Sequence, residues 1–125
     1  AQSLPVVFET HRGRLLDTPK SARRVLERFP SLRLCADFSH WTVVCESYLE
    51  DQSDAVDLAI SRTGMIHARV GHPEGPQVPD PRWDRWSGAV SVFEGWWSRI
   101  VDSARARGES EMIVDPEYGP PDYLW

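Results

Sequence analysis

The stretch LRLCADFSHW, residues 32–41, begins as an apolar run and closes on a carboxylate, a hydroxyl and an imidazole. Leu32 to Asp37 reads as a strand. Side chains alternate faces along a strand, so Cys35 and Asp37 look the same way. The same design recurs three times. Pro5 to Glu9 places Val7 and Glu9 on one face, Met65 to Val70 aligns Met65, His67 and Arg69, and Glu111 to Asp115, continued past its end, aligns Ile113, Asp115 and Glu117. Each run brings a group able to hold a metal or move a proton to its C-terminal end, where α/β enzymes gather their catalytic groups.

Amphipathic segments separate the four runs. Thr18 and Pro19 make an N-cap and first-turn pair, after which Ala22, Val25, Leu26 and Phe29 recur at helical spacing until Pro30. A second helix starts near Ser53, with Val56, Ala59 and Ile60 apolar and Gly64 as the expected terminator. Trp86, Val90, Phe93, Trp97, Ile100, Val101 and Ala104 trace the third and clearest helix, ending before Gly108. Its aromatics read as core rather than cofactor contacts. Residues His40 to Leu49 are expected to form a long loop or short helix, and the Gly- and Pro-rich GHPEGPQVPDPR, residues 71–82, a loop long enough to suggest a task. The alternation predicts one α/β domain over residues 1–125, with four parallel strands and three helices grouped on one face by right-handed crossovers. Its edges would lie at Val6 to Glu9 and Met112 to Asp115. The tail PEYGPPDYLW is too rich in Pro and Gly for a regular element.

An apolar content of 41% and a charged content of 26% over 125 residues place the chain among ordinary globular domains. A formal charge of -5 makes a phosphate-tracking surface, and so a nucleic-acid partner, a poor first expectation. No apolar stretch is long enough to span a bilayer, and AQSLPVVFET lacks the features of a secretory signal. The start at Ala1 suggests processing or truncation. Cys35 and Cys45 have no zinc-type spacing and are expected to be reduced, favouring a cytoplasmic setting.

Glu9, Asp37, His67 and Glu117 together make a hard O/N donor set suited to Mn²⁺, Mg²⁺, Co²⁺ or Zn²⁺. Singly, each would pass for a cap, an ion-pair partner or a core histidine. Their recurrence at four successive strand ends carries the metal reading. His11 shares the parity of Glu9 and is a substrate-contact candidate. His72, Glu74, Arg12 and Arg14 lie in loops or near a helix start, where solvation is the default. GHPEG lacks the strand-to-helix context of a phosphate loop.

The segments ETHRGR (9–14), ADFSHW (36–41), IHARVG (66–71), GPQVPDP (75–81) and PEYGP (116–120), in that order, resemble the xylose-isomerase-like sugar phosphate isomerase/epimerase superfamily. The resemblance implies the C-terminal half of a (β/α)8 TIM barrel. It carries the ketose-epimerase metal ligands onto Glu9, Asp37, His67 and Glu117, and substrate contacts onto His40 and, at a shorter spacing than the family's, Arg69. The family's endonuclease branch has Asp-x-His where this chain has Asp80 and Arg82, which argues against a three-zinc site because guanidinium is no ordinary metal ligand.

The activity so implied is isomerisation or epimerisation of a sugar or sugar phosphate through an enediolate, by the full-length barrel. Glu9 and Glu117 would exchange protons with opposite faces of the substrate. A lyase, dehydratase or hydrolase on the same site, or a truncated half that binds metal without turnover, are the competing expectations. The open sheet implies a missing N-terminal half-barrel or a homo-oligomer as partner.

Overall fold

Thr18 and Pro19 begin the first helix as the sequence indicates. In the computed structural model, which describes residues 4–120 and 122, Thr18 caps α1 (Pro19–Arg28) by accepting from the Ser21 N–H at 3.1 Å, and the Ser21 hydroxyl accepts from the Thr18 N–H in return. Such a cap contributes about 1 kcal/mol. The other helices are α2 (Phe38–Cys45), α3 (Ser53–Arg62) and α4 (Ser87–Ala106). Short 3-10 turns at Glu50–Gln52 and Asp84–Trp86 lead into α3 and α4.

The strands β1 (Phe8–Glu9), β2 (Leu34–Ala36), β3 (Thr63–His67) and β4 (Ile113–Asp115) form one parallel sheet in sequential order. All four are shorter than or displaced from the sequence reading. The direct α3–β3 junction also corrects the role of Gly64, which lies inside β3 rather than ending a helix. Its physical basis is a different capping arrangement. The Thr63 hydroxyl donates to Ala59 O at 2.9 Å, while Arg107 donates to Ser61 O and Thr63 O at 2.9 and 2.8 Å. These side chains satisfy carbonyls that a glycine turn would otherwise serve. A further difference is α2, a defined helix that starts at Phe38, earlier than the expected loop or short helix.

Alternation along the strands divides the sheet into two environments. Leu34, Ala36 and Ile66 join Leu26, Ala59, Phe93 and Ile100 in the core, each at most 2% exposed. α1 packs on α3 and α3 on α4, with α3 and α4 also contacting β2 and β3. On α4 the apolar stripe is centred on Ala89, Phe93, Trp96, Ile100 and Ala104, so Trp96 takes the buried place that the sequence reading gave to Trp97. Trp41 is fully buried, stacks on Phe38 at 4.7 Å and donates to Leu16 O at 2.9 Å.

The other sheet face carries the register row Glu9, Cys35, Met65 and Ile113. The row is unevenly covered: Ile113 is 67% exposed, Met65 is half-buried and Cys35 is buried. β1 and β4 each have a single neighbour among the described residues.

Phe93→Ala is expected to lower unfolding free energy by about 3–5 kcal/mol through loss of buried area and cavity formation. Leu15→Ala, at a highly exposed position, should change it by only about 0.5 kcal/mol. Urea denaturation monitored by tryptophan fluorescence measures both effects.

Candidate metal centre

Asp37 enters the site at the turn from β2 into α2. It is the N-cap of α2, with one carboxylate oxygen accepting from Ser39 N–H at 3.1 Å and from the Ser39 hydroxyl at 2.5 Å. Thr10, just beyond β1, holds the backbone at the same point. Its hydroxyl donates to Asp37 O at 2.9 Å and accepts from Asp37 N–H at 2.8 Å. Thr10 thereby ties the ends of two neighbouring strands and leaves the Asp37 carboxylate on the site side.

Ligand-capable atoms of Glu9, Asp37, His67 and Glu117 lie within 4.8 Å of one another. His67 Nδ1 is 3.1 Å from Glu9 Oε1, 3.1 Å from Glu117 Oε2 and 3.9 Å from Asp37 Oδ2. The sequence-selected donors therefore share one small volume. Their accessibility differs: the Asp37 side chain is fully buried, whereas those of Glu9 and Glu117 are 35% and 39% exposed.

His40, His11 and Arg69 stand beside this group. Arg69 is buried, and its guanidinium donates to Asp37 Oδ2 at 2.7 Å, Ser39 Oγ at 3.1 Å and His40 Nε2 at 3.0 Å. These bonds make it a brace between Asp37 and His40. Acceptance at Nε2 fixes His40 in the neutral tautomer with hydrogen on Nδ1. That Nδ1 is buried and makes no hydrogen bond, so it offers a donor to an arriving oxygen. The His11 ring lies 3.8 Å from that of His40, and its Nδ1 is 2.6 Å from Arg12 O. Glu9, His11 and His40 form a second close grouping, but the hydrogen on His40 Nδ1 leaves no lone pair there for a cation.

Burial and crowding govern the site's proton affinities. Burial pushes the Asp37 carboxyl up to about 6, against the pull of Arg69 and Ser39. Burial, reinforced by Glu9 and Asp37, raises the Cys35 thiol to about 12, leaving it an unreactive packing group. Both cysteines are free thiols. Burial, followed by His11 and Arg69, lowers His40 to about 3.

The donor set fits a divalent cation on structural grounds. A single hydrogen on His67 Nδ1 cannot serve three surrounding carboxylates, and Glu117 Oε2 is shielded without a hydrogen bond. Arg69 bonds one of these carboxylates, Asp37, at 2.7 Å and stands 3.6 Å from Glu117. Asp80 and Arg82 instead occupy one another, through bonds of 2.9 and 2.7 Å.

Sequence reasoning missed Thr10 and Ser39, which hold Asp37 in place. Asp-x-Ser at the start of α2 is the signal for Ser39. Comparison with known proteins finds no match to a protein-family model, a curated protein or a solved structure.

His40 should remain neutral in the folded, metal-free protein. Its ring-proton NMR shifts are expected to lack the large change of imidazole protonation between pH 5 and 8, showing at most the smaller perturbation from Asp37 titrating near 6. Because the folded value lies below the unfolded 6.5, its stabilising contribution is present above that value and is lost as pH falls toward about 3.

Proposed function

We propose that this chain is the metal-bearing half of a (β/α)8 barrel, and that its site isomerises or epimerises a sugar or sugar phosphate through an enediolate. The observation carrying the proposal is the convergence of Glu9, Asp37, His67 and Glu117 from the C-terminal ends of four consecutive parallel strands. The two open edges and the partly uncovered sheet face fit one half of a closed eight-strand wall. The reaction class rests on the resemblance of the sequence segments to the xylose-isomerase-like pattern.

Glu9, Asp37, His67 and Glu117 would hold the cation. When bound, a divalent ion supplies Lewis acidity toward adjacent carbonyl and hydroxyl oxygens and so acidifies the C–H between them. Glu9 and Glu117 are the partly accessible carboxylates and approach from opposite edges of the sheet. One, ionised, would remove the carbon-bound proton while the other, entering protonated, would deliver its proton to the opposite face and invert that carbon, with exchange against solvent restoring the pair. Asp37 is too buried for this exchange and serves as a fixed anchor. His40 donates from Nδ1 to a substrate oxygen, oriented by Arg69.

Incubation with Mn²⁺ and simple ketoses or their phosphates in D₂O tests the reaction. Solvent deuterium should enter the carbon adjacent to the carbonyl and the epimer or aldose should accumulate. No exchange with any member of the panel would reject the isomerase assignment, while a dehydrated product would move it to a lyase.

Two substitutions follow from the roles assigned. In the complete enzyme, Glu117→Gln should depress turnover more than His40→Ala, with comparable small losses counting against proton transfer by Glu117. His67→Ala should weaken Mn²⁺ binding in calorimetry beyond the roughly 10–100-fold loss typical of changing an outer-shell partner.

A further inference from the structure

Glu117 poses a positioning problem that β4 does not solve. The strand is only three residues long, all exposed, and Glu117 lies two residues beyond its end. Before Glu117, the chain is fixed where Ala68 N–H donates to Asp115 O at 2.7 Å. After it, the Gln77 amide makes two bonds to one residue: Nε2 donates to Gly119 O at 3.2 Å and Oε1 accepts from Gly119 N–H at 2.8 Å. Gln77 is 5% exposed and 42 residues from Gly119 in sequence. The amide thus acts as a short piece of strand partner, and Glu117 sits midway between the two anchors.

The loop bearing Gln77 is itself braced. His72 and Gly75 exchange backbone bonds of 2.8 and 3.0 Å, and Val78 N–H donates to Val70 O at 2.8 Å. Gly71 lies so near α2 that an added Cβ would stand 2.9 Å from Ser39 Cβ. One end of the loop therefore bears on Ser39, which bonds Asp37, while Gln77 holds the segment bearing Glu117.

We propose that Gln77 is a positioning residue for Glu117, a clamp that sets the glutamate against His67 and thereby tunes cation affinity. This inference rests on the metal-centre reading above. It also assigns the loop at 71–82 a task that involves no direct contact with a ligand.

The test compares wild type, Gln77→Ala, Gln77→Glu, Glu117→Gln and the Gln77→Ala/Glu117→Gln double variant, using Mn²⁺ alone as probe. In metal-free protein, Gln77→Ala should accelerate hydrogen exchange at the Gly119 amide, with Gln77→Glu partly restoring protection because it keeps the acceptor. Gln77→Ala should weaken Mn²⁺ binding about 10-fold or more, the scale expected for an outer-shell partner. In the Glu117→Gln background the same change should have little further effect, because both act through one carboxylate. Unchanged Gly119 exchange, unchanged Mn²⁺ affinity in Gln77→Ala, or fully additive losses in the double variant would each overturn the clamp. A wild-type protein without Mn²⁺ affinity would instead overturn the metal-centre reading and the role built upon it.

Discussion

Asp37 is a carboxylate withdrawn completely from water, and much of the surrounding chain is organised by that constraint. An ionised carboxylate in such a position costs several kcal/mol unless neighbours replace its hydration. Ser39 supplies a backbone and a hydroxyl donor, Arg69 supplies a guanidinium, and Thr10 fixes the adjoining backbone. The first requirement starts α2 directly after β2. The second turns the chain inward immediately beyond β3, burying a long basic side chain that would ordinarily reach solvent. Close approach of the following loop at Gly71 then accompanies this arrangement.

The four carboxylate and imidazole donors differ in how tightly the fold commits them. Asp37 is locked by its own bonds and by Arg69, whereas Glu9 and Glu117 reach His67 from edge strands with partial solvent access. The donor set thus joins one fully buried carboxylate to two that are partly exposed. Arg69 extends the division by directing His40: a permanent cation at Nε2 selects which ring nitrogen carries hydrogen. That selection links the buried anchor to the oxygen-binding side of the proposed pocket.

Much of the fold was legible because periodicity reports burial directly. Thr18 and Pro19 marked α1, the α4 stripe marked the longest helix, and strand parity brought Glu9, Asp37, His67 and Glu117 onto one side. Strand limits were less legible, since a ladder ends where its neighbour departs, which depends on partners distant in sequence. Gly64 misled for a related reason: local turn chemistry suggested a helix stop, but Thr63 and the remote Arg107 had taken over the carbonyls. Arg69 lies beyond the end of β3 rather than on it, and its bonds depended on the unforeseen approach of Ser39 and His40. Gln77 carried no local signal because its partner lies in the tail.

The junction between α3 and β3 divides the molecule into ends with unequal tolerance for change. Arg62 and Thr63 are consecutive members of the two elements, and Arg107 grips carbonyls on both sides of the joint. Glu109 in turn joins Arg107 to Arg33, with contacts of 3.0 and 2.5 Å, binding the foot of the sheet to the chain after α4. A residue inserted at 62/63 would shift every following β3 side chain to the other face and sever this knot. At the opposite end the β1–α1 and β3–α4 connections are long, whereas β2 passes into α2 through Asp37 alone. The two long upper connections can therefore change length without altering strand phase, while the lower joint keeps the sheet in register.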